Sequence, residues 1–177
     1  MKAQPVLLET LVPVWETCNQ VTIFLVNHLP RQLWNSPVPG APRRTVRMIM
    51  GHIHNSRCMW IKAIGAAHGI QVPASVDRRH VTQKQLVSAL LRSSRGIVSL
   101  LRLGCEHGGT IPPNALYRWR NLPLDVGHVL AYFVAHEAHH RGQILMLSRQ
   151  VGMRLSSEVS GGIWQWTKRK SEARGNG

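Results

Sequence analysis

Apolar residues recur along the chain at intervals of three and four residues, the spacing that places them on one face of an α-helix. A first stripe lies between Pro13, which suits the first turn of a helix, and Pro30, which ends it. Residues 35–42 are rich in proline and glycine and are predicted to form a loop. A second helix is predicted from residue 45 to about residue 67. The first stripe consists of Val14, Cys18, Val21, Leu25 and Leu29.

A third helix is predicted to begin at the segment Thr82-Gln83-Lys84-Gln85, which has the pattern of a capping box. Gly96 lies inside this helix at a cost of about 1 kcal/mol relative to alanine, so we expect tight packing to hold it there. Residues 104–123, which contain Gly108-Gly109 and Pro112-Pro113, are predicted to form a long linker. The buried face of the third helix is predicted to carry Leu86, Leu90, Ile97 and Leu101.

A fourth helix is predicted to begin near Leu124 and to run to Gln150, with Gly152 just beyond its end. Ser156 or Ser157 is predicted to cap a short extra C-terminal helix that carries Trp164 and Trp166.

Four long amphipathic helices with loops of unequal length predict an all-α fold, a four-helix bundle. Alternating strand-like patterns are scarce, so no sheet is predicted. A chain of 177 residues is long enough for one domain and too short for two comfortable ones. We therefore expect a single domain over residues 1–177, in which residues 168–177 form a flexible basic tail.

The formal net charge of +14 raises the question of nucleic-acid binding. The basic residues are scattered over every segment, and the one tight cluster is Lys168-Arg169-Lys170, so we expect solvated surface charge and no nucleic-acid partner. No apolar run approaches the roughly 18 residues of a membrane span, and the N-terminus makes a poor signal peptide, so we expect a cytoplasmic protein without a membrane partner. Three widely spaced cysteines are predicted to be reduced thiols: Cys18, Cys58 and Cys105.

The fourth helix contains the segment with the most chemical information, His136-Glu137-Ala138-His139-His140-Arg141-Gly142-Gln143. His136 and His140 are four residues apart, so a helix brings their Cβ atoms to roughly 6 Å from each other. At about 100° per residue, both fall within the apolar arc of this helix, whereas His139 lies at its edge and Arg141 largely outside it. Buried imidazoles need polar partners, and two imidazoles alone do not hold a metal tightly.

The second helix offers a third imidazole. In the stretch Gly51-His52-Ile53-His54, His52 falls within the apolar arc and His54 on the polar side, so His52 is predicted to point inward and His54 outward. Three neutral imidazoles from two facing helices suit one Zn²⁺, Ni²⁺ or similar divalent ion and leave a coordination position open for water or substrate. The alternative is that these are hydrogen-bonded core histidines. The predicted metal ligands are His52, His136 and His140.

The other histidines are not expected to join this site. His128 lies two turns away on the fourth helix, roughly 12 Å along the axis. Surface or loop positions are predicted for His28, His68, His80 and His107.

A second interpretation uses the same two histidines. His136-Glu137-Ala138-His139-His140 also fits the zinc-protease pattern His-Glu-x-x-His, in which the glutamate is the general base. The pattern is short, and the sequence lacks the edge strand on which such enzymes build a substrate cleft. Glu137 is therefore interpreted as a partner of a neighbouring helix or of a ligand, or as a solvated side chain, with a metal-dependent hydrolase as the lesser alternative.

Three segments together carry a family likeness. Gly-His-Ile-His-Asn-x-Arg-x-x-Trp at residues 51–60, Leu-Pro-x-Asp-Val at 122–126 and His-Glu-Ala-His-His-Arg-Gly-Gln at 136–143 resemble the DinB superfamily of DinB/YfiT-like metalloenzymes. Trp164 and Trp166 resemble the Trp-x-Trp of one branch of it. The likeness covers most of the chain, from the first helix to Trp166.

The resemblance implies a four-helix bundle with up-down-down-up topology and, in many members, a homodimer. It also implies a metal triad at His52, His136 and His140. Characterised relatives include S-transferases and isomerases that use low-molecular-weight thiols such as bacillithiol or mycothiol. The function implied is a metal-dependent enzyme acting on small molecules, with a thiol cofactor. A non-catalytic, stress-related metal-binding bundle is the alternative.

Three further side chains have open roles in this interpretation. Arg57 and Arg141 either contact an anionic cosubstrate or form salt bridges on helix surfaces. Gln143 either orients a ligand imidazole or metal-bound water, or bonds to a neighbouring helix.

Overall fold

Four helices of 20 to 26 residues make up most of the chain and confirm the predicted all-α class. The structure, a computed structural model, describes residues 3–175, and the side chains of residues 7–174. Three short helices accompany the long ones. In chain order the helices are α1 (Ala3–His28), α2 (Arg31–Asn35), α3 (Val46–Gly65), α4 (Gln83–Glu106), α5 (Val126–Gln150), α6 (Ser157–Gly162) and α7 (Trp166–Gly175).

A small antiparallel hairpin joins α2 to α3, where a loop and no sheet had been predicted. It pairs β1 (Pro37–Val38) with β2 (Ala41–Thr45), and Gly40 forms its turn with a φ of 75°. Glycine reaches this conformation without steric cost. The prediction was wrong because both strands are short and mostly exposed, so neither shows the alternation of a half-buried strand.

The long helices meet in two layers of core. α1 packs on α4 and α5, and α3 packs on the same two helices. One cluster of buried side chains includes Leu25, Ile53, Leu90 and Ile144, and the other includes Trp15, Trp60, Ile97 and Phe133. Each cluster draws on all four long helices. The up-down-down-up topology of a four-helix bundle remains a prediction.

Several predicted helix ends are confirmed by their hydrogen bonds. The Thr82 side chain and Gln85 form the predicted capping box at the start of α4. Thr45 caps α3 and Asp125 caps α5, within two residues of the predicted starts. Gly152 follows α5 with a φ of 72°, as expected for a residue that ends a helix.

Close packing explains Gly96, as predicted. A Cβ atom added there would lie 2.5 Å from Cδ1 of Ile61 on α3, so the glycine permits α3 and α4 to approach each other. The predicted inward face of α4 is also confirmed, because Leu86, Leu90, Ile97 and Leu101 are all fully buried.

The first helix begins earlier than predicted. Pro13 lies inside α1 rather than in its first turn, and the Thr17 hydroxyl donates a 2.7 Å hydrogen bond to the Pro13 carbonyl. Val14, predicted to be buried, is 38% exposed, and Trp15 takes the core position next to it. The helix extends because Leu8 and Leu11, ahead of the proline, pack on the second core cluster. This burial offsets the backbone hydrogen bond that a proline removes.

The C-terminal region differs from the single short helix predicted. Ser156 caps α6 as expected, but Trp164 follows α6 and Trp166 begins a separate helix, α7. On α7 the Arg169 side chain is 1% exposed and its guanidinium lies 4.0 Å from the centre of the Phe24 ring. The flexibility of residues 168–177 stays a prediction, and residues 176 and 177 lie outside the described part.

None of the helices in the described residues combines the length and the apolar character needed to cross a membrane.

Candidate metal centre

Three imidazoles converge between α3 and α5. His52 on α3 and His136 and His140 on α5 each offer one ring nitrogen, and these three atoms lie within 4.8 Å of one another. The ring centres are 4.6 Å apart for His136 and His140, and 4.8 Å apart for His52 and His140. The structure therefore brings together the three side chains that the helical periodicity selected.

The nitrogen separations suit a metal ion. Nε2 of His136 lies 3.2 Å from Nε2 of His140. A tetrahedral ion with metal–nitrogen bonds of 2.0–2.1 Å separates its ligand nitrogens by about 3.3 Å. The three nitrogens of the cluster lie up to 4.8 Å apart, which is longer than this separation. The rings therefore have to move closer together by up to about 1.5 Å to bind one ion. The donor set fits a divalent ion such as zinc or nickel.

The imidazoles are held in the neutral form that binds metals. Burial lowers the pKa of His136 to about 4, with a further contribution from the charges of His140 and His52. Burial also lowers the pKa of His52, assisted by His140, Arg78 and Arg44. Burial lowers the pKa of His140 as well. At neutral pH all three rings therefore present lone pairs rather than positive charges.

The pKa of His136 predicts how the stability of the metal-free protein depends on pH. Between about pH 4 and pH 6.5 the unfolded chain binds a proton at this ring and the folded chain does not. The contribution of His136 to stability is therefore complete above pH 6.5 and is lost as the pH falls toward 4. We expect His136→Gln to show a smaller drop in the free energy of unfolding than the parent across this window, measured by urea denaturation. If the free energy of unfolding drops equally in both proteins, the pH dependence does not come from His136.

Gln143 fixes the orientation of His140. Its Oε1 lies 2.8 Å from Nδ1 of His140, and its Nε2 lies 2.9 Å from Nε2 of the exposed His139. Because a carbonyl oxygen only accepts, Nδ1 of His140 carries the proton and Nε2 keeps its lone pair, directed at His136. Gln143 thus contacts a candidate ligand imidazole on its own helix, and its side-chain hydrogen bonds among the described residues do not reach a neighbouring helix.

Replacing Gln143 by leucine is expected to weaken zinc binding by about 10- to 100-fold, because the partner that fixes the tautomer and direction of a ligand histidine is lost. Competition with a chromogenic zinc chelator measures the change. Gln150→Leu, at the exposed end of the same helix, is the matched control. Identical affinities for both variants would show that Gln143 has no such effect.

The ring of His136 has an aromatic support. Tyr132 stacks on it with ring centres 5.9 Å apart and planes 15° from parallel. The Tyr132 hydroxyl accepts a 3.0 Å hydrogen bond from the indole of Trp60 on α3. This contact joins α3 and α5 one turn from the histidine cluster.

Glu137 points into the core, so its carboxylate is not placed to act as a catalytic base at the histidine cluster. It is fully buried, and its Oε1 accepts a 2.7 Å hydrogen bond from Nε of Arg57. The same oxygen forms an ion pair with Nη2 of Arg57 at 2.6 Å. Its Oε2 accepts a 2.6 Å hydrogen bond from the Thr22 hydroxyl. Both oxygens are therefore engaged with α1 and α3, as expected for the interhelical partner. This arrangement disfavours the zinc-protease interpretation, which needs the carboxylate at the metal.

Arg57 and Arg141 belong to the same buried network. They form ion pairs, as one of the two alternatives predicted, but these ion pairs lie in the core and not on helix surfaces. Arg57 also donates to Asn19 Oδ1 at 2.8 Å. Arg141 Nη1 lies 2.8 Å from Thr22 Oγ1 and 3.6 Å from the Glu137 carboxylate. The buried carboxylate draws both guanidiniums into the core, which a helical-face argument does not reveal.

His54 is fully buried, although it was predicted to point outward. Its Nε2 lies 3.0 Å from the carbonyl of Ala74 and must donate to it, so in the neutral ring Nδ1 accepts from Ser93, 3.1 Å away. Burial lowers the pKa of His54, which favours this neutral state. The prediction failed because the linker after α3 covers this side of the helix.

The remaining predicted residues lie apart from the cluster. His128 is exposed and pairs with Asp125 at 2.6 Å. The three cysteines are free and buried, as predicted for reduced thiols. Burial raises the pKa of Cys18 to about 11, with Glu137 adding to the shift. His28, His80 and His107 are exposed, as predicted, whereas His68 is half-buried in a short 3-10 helix (Ala66–His68) and contacts the Pro112 carbonyl.

Sequence reasoning missed the arginines beside His52. A cleft of about 610 Å³ opens next to this histidine and is lined by Arg43, Arg44 and Arg78. Two adjacent arginine pairs in the sequence, at residues 43–44 and 78–79, were the available signal.

The fold and the site together define an all-α protein with three neutral imidazoles beside an open cleft, an arrangement compatible with a divalent metal. The model of the DinB family matches residues 2–157 of the chain. The protein therefore belongs to the DinB family, which confirms the resemblance seen in its motifs. Neither a curated protein nor a solved structure matches the chain.

Proposed function

We propose that this DinB-family protein binds one divalent metal, zinc or nickel, through His52, His136 and His140, and that it is a metal-dependent enzyme acting on small molecules. The observation that carries the proposal is the convergence of three neutral ring nitrogens from two helices beside an open cleft. Three nitrogen ligands are typical of working metal sites, whereas structural sites have four protein ligands.

The surroundings of the cluster favour a reactive site over a purely structural one. Within the described residues, the group that could hold the ion contains three side chains and no fourth ligand from histidine, cysteine, aspartate or glutamate. The adjoining cleft of about 610 Å³ has the volume of a small-molecule site. A substrate could therefore reach the position that the protein leaves free.

The reaction type that we propose is thiol S-transfer with a low-molecular-weight thiol as cosubstrate. A divalent metal in this site would supply Lewis acidity, favouring the nucleophilic thiolate form of a bound thiol. The chain does not offer a nucleophilic thiol of its own, because burial raises the pKa of Cys18, Cys58 and Cys105. The thiol is therefore expected to come from solution.

The chain's own residues orient the site. Gln143 directs the free nitrogen of His140, and Tyr132 supports the ring of His136. The buried salt bridge between Arg57 and Glu137 ties α3 to α5, the two helices that carry the ligands. A homodimer, as the family resemblance implies, is part of the proposal. The alternative is a non-catalytic metal-binding protein.

Metal analysis followed by a conjugation assay tests this proposal. Purified protein is expected to contain close to one zinc or nickel ion per chain by mass spectrometry of the metals. The loaded protein is expected to accelerate conjugation of bacillithiol, mycothiol or glutathione to an aryl chloride, and His140→Ala is expected not to. Stoichiometric metal without conjugation of any of the three thiols would favour the non-catalytic alternative. Absence of metal binding would refute both the metal-dependent enzyme and the non-catalytic metal-binding alternative.

A further inference from the structure

We propose that Arg43, Arg44 and Arg78 form an oxyanion-binding subsite beside His52, which selects small organic molecules carrying a carboxylate or phosphate group. The proposal rests on the proposed function, because the three histidines define the end of the cleft at which such a molecule would react. The arginines themselves can be tested without the metal.

The three guanidiniums share one cleft with a candidate metal ligand. This cleft of about 610 Å³ is lined by the three arginines and His52, and Pro42 and Met48 contribute apolar surface. A lining that combines charged and apolar side chains suits a small amphiphilic anion. Guanidinium groups match the planar geometry of carboxylates and phosphates, to which they can donate two parallel hydrogen bonds.

The charges of this cleft are not neutralised by the protein. Among the described residues, Arg43, Arg44 and Arg78 form no ion pair, and the side chains lining the cleft include no carboxylate. The buried arginines behave differently, because Arg57, Arg141 and Arg169 each have a carboxylate partner. Like charges gathered in a cleft raise the local concentration of anions. An anion bound from solution would supply the missing partner.

The fold places these arginines by two separate routes. Arg43 and Arg44 lie on β2, which leads directly into α3 through its capping residue Thr45. Arg78 arrives from the linker between α3 and α4. Gly51, adjacent to His52, permits its approach, because a Cβ atom added to Gly51 would lie 3.1 Å from Cγ of Arg78.

Arg44 lies at two openings beside the histidine cluster, the first of which is the cleft next to His52. Arg44 also lines a second cleft, of about 410 Å³, which contains His139 and Gln143. It therefore stands between two openings that flank the site, where an anionic group would lie close to the reacting end.

Isothermal titration calorimetry on the metal-free full chain tests the subsite, with tricarballylate and inorganic phosphate as probes. Because a hydrogen bond to a charged group contributes strongly, the double variant Arg44→Gln/Arg78→Gln is expected to bind either probe roughly tenfold more weakly or worse. The double variant Arg102→Gln/Arg118→Gln removes the same charge from exposed positions outside the cleft and is the matched control. It is expected to bind like the parent.

Equal losses in the two double variants would overturn the proposal, since they would show an effect of net charge alone. Absence of binding of both probes to the parent would also overturn it. Binding of either probe that weakens only in the Arg44→Gln/Arg78→Gln variant supports the subsite. The probe that binds more tightly shows whether the subsite prefers a carboxylate or a phosphate.

Zinc affinity, measured in parallel, separates this proposal from the proposed function. The Arg44→Gln/Arg78→Gln variant is expected to bind zinc at least as tightly as the parent, because it retains all three histidines and loses two positive charges near them. If the parent binds the anions but no zinc, the proposed function fails while the subsite stands. If it binds zinc but the arginine variants bind anions like the parent, the subsite fails alone.

Discussion

Glu137→Gln is expected to lower the free energy of unfolding by about 3–5 kcal/mol, although the two side chains have nearly the same shape. The carboxylate is the one negative charge in a buried network that holds two guanidiniums, Arg57 and Arg141. Removing its charge leaves both cations in a medium of low polarity with no counter-ion. Urea denaturation, followed by circular dichroism, measures the loss.

The comparison between variants identifies the cause. Arg141→Met leaves the ion pair of Arg57 and Glu137 intact, in which the two charges balance, and is expected to have a smaller effect on the free energy of unfolding. Glu106→Gln removes a charge from an exposed position at the end of α4 and is expected to change the stability by less than about 0.5 kcal/mol. A loss for Glu137→Gln no larger than that for Glu106→Gln would show that the buried charge contributes little.

His140→Ala is expected to weaken zinc binding by roughly a hundredfold or more while leaving the helical structure largely intact. The substitution removes one of three nitrogen donors, and even the loss of a side chain that only orients a ligand weakens binding by about 10- to 100-fold. The helices persist because their cores are built from other side chains on both sides of the cluster. Zinc content after dialysis and the far-ultraviolet circular dichroism spectrum measure the two effects.

His128→Ala provides the control for this prediction. His128 lies on the same helix, is exposed and contacts Asp125 rather than the cluster. It is expected to retain the full zinc content. Full occupancy in His140→Ala would remove His140 from the site, and loss of helical structure would show that the ring supports the fold.

Helical periodicity was sufficient to find the histidine cluster. The angular positions of His52, His136 and His140 depend on the geometry of α3 and α5 alone, and each of these helices was predicted nearly in full. The capping residues Thr82 and Ser156 were found for the same reason, because a cap is a local arrangement of neighbouring residues. Features that depend on one element could thus be read from the sequence.

Contacts that depend on a linker, on the hairpin or on a buried ion pair could not be predicted. His54 appeared to face solvent because its partner, the carbonyl of Ala74, comes from a linker whose path has no periodic signal. Arg141 lies largely outside the apolar arc of its helix, and it is buried together with Arg57 because both pair with Glu137. The cleft arginines come from a hairpin and a linker, so their proximity to His52 follows from tertiary structure.

The linker before α4 is attached to α3 through its main chain. Asn55 donates to the carbonyl of Val76 at 3.0 Å and accepts from its amide at 2.9 Å, while His54 bonds to the carbonyl of Ala74. Contacts of this kind are indifferent to which amino acids the linker carries. Exposed side chains of this linker, such as Arg78, could therefore be replaced without altering the course of the segment. The charge beside His52 could thus change at position 78 while the scaffold stays the same.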